Sequence, residues 1–184
     1  MMAAVTSEGA NELVGRRAAE HEVAALFRAE YRSLVRLARL LLGDPGAAEE
    51  VVQDAFVKLQ VGWSRLRDPE HAPAWLRSAV LNGARSRLRH VQVRRRHLSA
   101  AAGAPTPDTG GADAAAVEGD ERRRMMAALR TLPPRQREAL VLKFYLDLSE
   151  AETAATMGVS AGSVKTHVHR GLAALETVLQ EEER

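Results

Sequence analysis

The chain has 184 residues, no cysteine and a net charge of +2 at neutral pH. This length suits one large or two small domains, and the absence of cysteine excludes disulfides, thiolate metal sites and cysteine catalysis. The first residues show no basic segment followed by an apolar run, and no uncharged stretch is long enough to span a bilayer. We therefore expect a soluble, cytoplasmic protein without membrane insertion. Alanine, leucine, arginine and glutamate dominate, which favours helices throughout.

The charge is distributed unevenly along the chain. Residues 20–97 hold fourteen basic and nine acidic residues, and residues 122–184 hold ten and eight, so both blocks are cationic. Residues 98–121 between them hold five acids and no base, and are rich in Gly, Pro and Ala. This predicts a flexible acidic linker between two domains, with an extended length of at most ~80 Å. Residues 1–19 are predicted to form a mobile N-terminal tail.

Hydrophobic periodicity predicts three helices in the first domain. The first covers about residues 21–42, with Phe27 on its buried face, and Gly43-Asp44-Pro45 then ends one helix and starts the next. The second covers about residues 46–61 and the third about residues 73–93. The outer face of the second helix is predominantly acidic, and its residues are Glu49, Glu50, Gln53, Asp54 and Lys58. A merely solvated face explains this pattern as well as a binding face does.

The third helix and the residues after it are strongly basic. From Leu76 to His97 there are seven arginines and no acid. A solvated helix usually mixes both signs, whereas a run of guanidinium groups suits pairing with phosphates. We therefore predict that this helix binds nucleic acid. Trp75 lies on the apolar face of the helix, and the pattern leaves open whether it is a core residue or a binding residue.

The second domain is predicted to contain four helices. The first covers residues 122–131, and the pair Pro133-Pro134 separates it from the next. That second helix offers Leu140, Val141, Phe144 and Leu148 for packing.

The last two helices, in residues 149–175, show the pattern of a helix-turn-helix. Ser149 and Glu152 have the spacing of a capping box, Gly158 suits the left-handed end of a helix, and Ser160 can cap the helix that follows. The predicted buried stripe of the last helix consists of Val164, Val168, Leu172 and Leu175.

The opposite face of the last helix is rich in hydrogen-bond donors. It presents Ser163, Lys165, Thr166, His169 and Arg170, with no acid until Glu176. Such a face suits insertion into the major groove of DNA. The alternative is an ordinary helical hairpin with a solvated polar face.

Two other classes of protein compete with this interpretation. A transcription regulator with the same helix-turn-helix would need a ligand or receiver domain, and residues 20–97 lack the alternating strands of a receiver. An enzyme would need a recognisable site, and the sequence contains no Gly-rich phosphate loop, nucleophile elbow or HExxH motif. His167 and His169 point about 200° apart on a helix, so they cannot share a metal. We predict no catalytic residue, no metal and no cofactor.

Three stretches resemble the extracytoplasmic-function (ECF) group of bacterial RNA polymerase sigma factors, in particular its SigE-type subfamily. They are FRAEYRSLVRLARLLLGDPGAAEEVVQDAFVKLQ, HAPAWLRSAVLNGARSRLR and LRTLPPRQREALVLKFYLDLSEAETAATMGVSAGSVKTHVHRGLAAL. The resemblance implies two all-α domains: region 2, a three-helix bundle in residues 20–97, and region 4, a four-helix domain with a helix-turn-helix in residues 122–184. It also implies that the chain binds core RNA polymerase and directs transcription initiation at promoters.

The resemblance also implies roles for individual residues. The second helix would dock on the β′ clamp helices through Glu50, Gln53, Asp54 and Lys58. The start of the third helix would open the −10 element and capture an unpaired base, and its candidate residues are His71, Trp75, Arg77, Ser78, Asn82 and Arg85. The last helix would read the −35 element as duplex DNA, through Ser160, Ser163, Lys165, Thr166, His169 and Arg170.

The remaining partners also come from the resemblance. Region 4 would contact the β flap, and the acidic linker would thread the polymerase near its active centre, where its charge would mimic RNA. The resemblance admits an anti-sigma factor as a further partner. One position departs from the family pattern, because Ser86 stands where an aspartate is usual. A hydrogen bond or ion pair near Arg89 is therefore expected to be missing.

Overall fold

The structure, a computed structural model, describes residues 4–66, 68–101 and 118–182, and these are all-helical. Two 3-10 turns, Trp63–Arg65 and Pro69–His71, lie between the second and third helices, and one π-helical turn, Val141–Tyr145, follows the fifth. The α-helices of the described residues are α1 (Ala4–Leu42), α2 (Pro45–Gly62), α3 (Ala72–Ala101), α4 (Glu118–Thr131), α5 (Pro134–Leu140), α6 (Glu150–Met157) and α7 (Ala161–Glu182).

Helices α1, α2 and α3 form a three-helix bundle, which confirms the predicted fold of the N-terminal block. Its fully buried side chains include Leu34, Leu37, Val52, Leu76 and Val80. The predicted junction between α1 and α2 is present as well: Gly43 has a positive φ of 76°. Asp44 Oδ1 accepts a hydrogen bond from the backbone N–H of Ala47 at 2.8 Å, and Pro45 is the first helical residue.

The ends of the long helices differ from the prediction. Helix α1 begins at Ala4 rather than near residue 21, so residues 4–19, predicted as a mobile tail, belong to this helix. Helix formers dominate this segment, and an internal glycine costs a helix only about 1 kcal/mol. The predicted linker is helical at both ends, because α3 continues to Ala101 and α4 begins at Glu118. Residues 1–3 and the central part of the linker, 102–117, lie outside the described residues.

Helices α4 to α7 form the C-terminal block, and its helix-turn-helix is confirmed. The backbone N–H of Ser149 donates to Glu152 Oε2 at 2.8 Å, and the N–H of Glu152 donates to Ser149 Oγ at 3.2 Å. Hydrogen bonds from the side chain and backbone of Ser149 hold the pKa of the Glu152 carboxyl below its usual value. Gly158 ends α6 with a φ of 68°, in the left-handed region. Glycine adopts this conformation at little cost because it has no Cβ.

The buried stripe of α7 differs from the prediction at one position. Val164 is buried and Val168 and Leu175 are half-buried, but Leu172 is 44% exposed. At 100° per residue, Leu172 lies about 80° from Val164 around the helix, whereas Gly171 lies about 20° away. Gly171 therefore occupies the seam, where an added Cβ would lie 3.0 Å from Leu140 Cδ1 of α5.

We expect Gly171→Leu to lower the free energy of unfolding by about 2 kcal/mol, because the added side chain would overpack the α5–α7 contact. Urea unfolding measures this change. Gly162→Leu is the matched control on the same helix, since a Cβ at Gly162 meets no atom within 4 Å. Equal effects of the two substitutions would show that crowding at the α5–α7 contact does not cause the loss of stability.

The prediction that Phe144 packs in the core is also wrong. Leu140, Val141 and Leu148 are buried as predicted, but Phe144 is 62% exposed. The segment that carries it is a π-helical turn, in which the N–H of Leu146 donates to the carbonyl of Val141 at 3.3 Å. This wider turn breaks the 3.6-residue period on which the prediction relied.

The two blocks pack directly against each other. Helix α1 contacts α4, α5 and the π-helical turn, and α3 contacts α6. Most of the buried apolar residues of both blocks form one continuous cluster, which runs from Leu34 and Leu76 in the N-terminal block to Leu142 and Met157 in the C-terminal block. The phenol of Tyr145 also donates to the carbonyl of Ser33 at 3.3 Å. The helix-turn-helix is therefore docked on the basic helix α3.

Candidate nucleic-acid interface

Helix α3 carries a stripe of candidate nucleic-acid-binding residues. Trp75, Ser78, Asn82 and Arg85 recur at intervals of three or four and so lie on one side of the helix. His71 precedes the helix in a 3-10 turn, and its side chain is 75% exposed. Its Nδ1 lies 2.9 Å from Asp68 Oδ2, which orients the imidazole. The structure thus brings four of these residues together with His71 at one end of the stripe.

Trp75 is not a fully buried core residue. Its side chain is 36% exposed, whereas Leu76 beside it has no exposed surface. An aromatic ring that is accessible on one side can stack on an unpaired base, an interaction worth about 1–3 kcal/mol. The exposure of Trp75 therefore favours the binding role over the core role that the sequence left open.

Arg85 is engaged by protein groups rather than exposed for a ligand. Its Nε donates to Glu138 Oε1 at 2.8 Å and its Nη2 to Glu138 Oε2 at 2.7 Å. Nη2 also donates to the carbonyl of Met157 at 3.1 Å, and Nη1 donates to Asn82 Oδ1 at 3.1 Å. The Arg85 side chain is only 20% exposed. Arg85, the last residue of the α3 stripe, therefore lies in the contact with the C-terminal block.

Arg77 does not belong to the stripe. It lies about 160° around the helix from Trp75, on the side that faces the protein interior. Its side chain is half-buried. Its Nε is buried and has no hydrogen-bond partner among the described residues. The charge of Arg77 is a smaller influence on the lowered pKa of Glu152, after the hydrogen bonds from Ser149. Arg77 thus lies near the C-terminal block, as Arg85 does, but on another side of α3 from the stripe.

Helix α7 presents the second candidate surface. Lys165, Thr166, His169 and Arg170 are exposed, on the side opposite the buried Val164. Lys165 has an acidic neighbour in α6, because Glu150 Oε2 lies 3.7 Å from Lys165 Nζ. An ion pair between such exposed groups is worth little, so Lys165 remains available to a phosphate or a base.

Ser160 and Ser163 have a local structural role at the start of α7. Ser160 Oγ accepts a hydrogen bond from the backbone N–H of Ser163 at 3.2 Å, and the two hydroxyl oxygens lie 2.9 Å apart. Ser160 therefore caps the helix, as its position in the sequence predicts. Similarly, Thr166 Oγ1 donates to the carbonyl of Gly162 at 3.0 Å, which fixes its rotamer.

Helix α2 presents a third surface, which combines polar and apolar residues. The predicted polymerase-binding residues Glu50, Gln53, Asp54 and Lys58 are all exposed. Val57 and Val61 share their face and are 60% and 80% exposed. Exposed apolar side chains among charged ones are typical of a protein interface.

The apolar part of this α2 surface was missed by the sequence analysis. Its signal is present, because Val57 and Val61 follow Gln53 and Asp54 at helical spacing, outside the buried stripe. Phe27 adds to it: the sequence placed Phe27 in the core, but it is 42% exposed. Its ring lies at the edge of a groove between α1 and α2, with centroids 4.4 Å from Tyr31 and 5.0 Å from Phe56.

Other features of the α3 region have smaller consequences. Glu50 Oε2 lies 3.2 Å from Arg87 Nη1, and both side chains are about half exposed, so α2 and α3 share an ion pair at the surface. Ser86 is half-buried and Arg89 is exposed. No helix in the described parts of the chain has an apolar run long enough to cross a bilayer.

The sequence patterns of two conserved regions match the two blocks. Residues 26–94 match Sigma-70 region 2, and residues 122–175 match Sigma-70, region 4. Together these matches cover more than half of the chain, so it belongs to the sigma-70 family of RNA polymerase sigma factors, in the ECF group. It binds core RNA polymerase and directs promoter-specific transcription initiation. The resemblance noted in the sequence is confirmed.

Curated relatives and solved structures agree with this membership. The RNA polymerase sigma-E factor of Streptomyces avermitilis is 35% identical over 153 residues, which cover 83% of this chain and 82% of that protein. The ECF RNA polymerase sigma factor SigM of Mycobacterium tuberculosis is 31% identical over 154 residues, which cover 84% and 75%.

Two solved structures share the fold. The sigma factor RpoE from Bartonella quintana, in complex with the anti-sigma factor NepR, has a TM-score of 0.71 at 24% identity, covering 85% of this chain and 96% of that one. CnrH, in complex with the cytosolic domain of CnrY, has a TM-score of 0.63 at 23% identity, covering 90% and 97%. At these identities the similarity establishes the fold alone.

Proposed function

We propose that three separate helix faces divide the work of this sigma factor. The exposed face of α2 docks on the β′ clamp helices of the polymerase, the α3 stripe captures the melted −10 strand, and the donor-rich face of α7 reads the −35 duplex. The observation that carries this assignment is that α2, α3 and α7 each expose side chains with the chemistry that the proposed role needs. The chain acts in the cytoplasm by recruitment and not by catalysis.

The α2 face suits a protein partner because it mixes charge with exposed valine side chains. Burial of Val57 and Val61 would contribute about 25 cal/mol per Å² of apolar surface, while Glu50, Gln53 and Asp54 would set the orientation of docking. The C-terminal block is proposed to contact the β flap, and the acidic linker to follow the polymerase channel.

The α3 stripe suits single-stranded DNA and the α7 face suits duplex DNA. Trp75 offers a partly exposed ring for stacking, with His71 and Asn82 positioned to hydrogen-bond a base edge. The α7 face carries Lys165 and Arg170 for phosphates or guanine, and Thr166 and His169 for other base edges.

Removal of one cation from the α7 face should weaken −35 recognition. We expect Lys165→Ala and Arg170→Ala each to reduce transcription from a −35-dependent promoter about tenfold, and to lower the slope of affinity against salt concentration by about 1 if the cation contacts a phosphate. Transcription in vitro at several salt concentrations measures both effects. Gln180→Ala, exposed on the same helix but beyond this face, is the matched control. Wild-type levels of transcription by both variants would show that the α7 face does not recognise the −35 element.

Removal of the aromatic ring from the α3 stripe should impair promoter melting. We expect Trp75→Ala to reduce open-complex formation about 10-fold on double-stranded promoters, since a stacking contact of about 1–3 kcal/mol is lost. The defect should remain on a template that is already unpaired at the −10 element if Trp75 holds the captured base. Permanganate reactivity of unpaired thymines measures opening. A variant that opens promoters as well as the wild type would assign Trp75 a packing role only.

An anti-sigma factor is proposed as a further partner. One of the solved structures described above contains a sigma factor in complex with the anti-sigma factor NepR, the other contains CnrH in complex with the cytosolic domain of CnrY, and this chain shares their fold. A partner of this kind would compete with core polymerase for this chain, and competition in a binding assay with labelled core enzyme would identify it.

A further inference from the structure

The outer side of α1 carries a line of arginines that belongs to none of the three faces described above. These arginines recur at intervals of four, four and three residues, and they are Arg28, Arg32, Arg36 and Arg39. At 100° per residue their positions fall within about 80° of one another around the helix. All four residues are exposed, whereas Leu34, Leu37 and Leu41 on the opposite side of α1 are buried. The four arginines are called the α1 ridge below.

No acid compensates the charge of the α1 ridge. Between Val23 and Gly43 the sequence contains one acid, Glu30, and it lies about 160° around the helix from the centre of the ridge. Among the described residues, none of the four arginines forms an ion pair. The ridge therefore presents four guanidinium groups that are available to an anionic partner.

The surroundings of the α1 ridge favour nucleic acid over protein as that partner. Beside the ridge, α1 exposes only the small side chains of Ala25 and Ala29. Protein interfaces centre on larger apolar side chains, such as the exposed Val57 and Val61 of α2. A phosphate needs no apolar contact, and a guanidinium can bind it through two parallel hydrogen bonds.

The shape of the α1 ridge suits one strand rather than a duplex. From Arg28 to Arg39 the helix rises by about 16 Å, and the cations follow one another along one side of it. A helix that enters the major groove of a duplex, about 12 Å wide, has phosphates on both of its flanks. The rest of α1 packs against α2, α3 and the C-terminal block, so a single file of phosphates fits the ridge better.

The α1 ridge lies close to the strand that the α3 stripe is proposed to capture. Helix α1 packs directly against α3, and two packed helices measure about 20 Å across. A short length of single strand can therefore extend from one helix to the other. Upstream of the −10 element the promoter stays paired for the α7 face, so the unpaired strand that can reach α1 is the one downstream.

We propose that the α1 ridge binds the phosphates of the single strand that continues downstream from the −10 element, and that it thereby helps to hold the promoter open. This inference rests on the proposed capture of the −10 strand by the α3 stripe. Contacts with phosphates do not depend on the base sequence, and they weaken as salt rises because binding releases counterions from the DNA. Each phosphate contact with a single strand adds about 0.7 to the slope of log affinity against log salt.

Removal of two central charges tests the α1 ridge. Arg32→Gln combined with Arg36→Gln removes both guanidinium groups and keeps good helix formers. We expect polymerase that carries this variant to bind a promoter already unpaired from the −10 element downstream about tenfold more weakly, with the salt slope lowered by about 1.4. Anisotropy of labelled DNA at several salt concentrations measures both. Arg122→Gln, at an exposed position of α4, is the control for loss of charge and should bind like the wild type.

Changes in the DNA show which phosphates the α1 ridge contacts. The loss of affinity should disappear on a template that lacks the downstream single strand. It should also disappear when the phosphates just downstream of the −10 element are replaced by uncharged methylphosphonates. Arg32→Lys combined with Arg36→Lys keeps both charges and should bind within about twofold of the wild type. A loss as large as that of the glutamine variant would contradict an electrostatic contact.

Four further results would overturn the proposal. They are unchanged affinity and salt slope in the glutamine variant, an equal loss on the template without the downstream strand, an equal loss with Arg122→Gln, and a matching loss of affinity for core polymerase without DNA. The last of these would make the ridge a protein-binding surface. If Trp75→Ala opens promoters normally, the proposed capture of the −10 strand fails, whereas the ridge comparison on DNA that is already unpaired still decides this proposal.

Discussion

Replacement of Arg137 by methionine should lower the free energy of unfolding by about 3 kcal/mol, because three backbone carbonyls would lose a charged donor. Arg137 Nη1 donates to the carbonyl of Leu41, and Nη2 donates to those of Arg130 and Leu132, both at 3.2 Å. These carbonyls lie at or just beyond the ends of α1 and α4, where the helix dipoles favour a positive charge. Methionine fills similar volume but supplies no donor.

The burial of Arg137 makes this substitution informative. Desolvation lowers the pKa of the guanidinium, the charge of Arg130 lowers it further and Glu138 raises it, yet arginine stays protonated at any pH that the fold tolerates. Urea unfolding followed by circular dichroism measures the effect. Arg36→Met, at an exposed position of α1, is the matched control and should change stability by less than about 0.5 kcal/mol. Similar values for both variants would mean that the three hydrogen bonds contribute no net stability.

Reversal of the charge at Asp54 should weaken binding to core polymerase by about 30-fold, the effect expected for a central interface residue that costs about 2 kcal/mol. Asp54 is exposed on α2 between Gln53 and the exposed Val57. Asp54→Arg would place a cation in the middle of that face, whereas Asp54→Ala should have a smaller effect in the same direction. The fold should be unaffected, because the side chain is exposed.

Fluorescence anisotropy of labelled chain titrated with core enzyme measures this loss. Glu181→Arg, which reverses a charge at an exposed position near the end of α7, is the control for the change in net charge. If Asp54→Arg binds core enzyme as tightly as this control, the α2 face is not the docking surface.

Local patterns predicted the helices and caps well because their determinants are neighbours in sequence. The junction at Asp44 and the capping box at Ser149 depend on residues within three positions of each other, and both are present. The exposed faces of α2 and α7 followed from periodicity alone. Periodicity failed at Phe144, where a π-helical turn changes the register, and at Leu172, where Gly171 occupies the seam.

The docking of the two blocks could not be predicted from such patterns. Arg85 and Glu138 are 53 residues apart, and Arg137 reaches across 96 residues to Leu41. An arginine-rich helix indicates phosphate binding, and nothing local marks one of its arginines for a carboxylate in another domain. A glutamate between Arg137 and Ala139 on a short helix likewise gives no sign that it is buried. These contacts become visible only when both blocks are placed together.

Transcription in vitro tests the central claim most directly. Core polymerase and a library of promoter fragments are incubated with the wild-type chain, and the RNA products are sequenced. We expect transcripts from a subset of fragments that share two sequence elements, absent when either the chain or the core enzyme is omitted. No transcript above the level of core enzyme alone would contradict the account, as would a chain that binds the fragments equally well without polymerase.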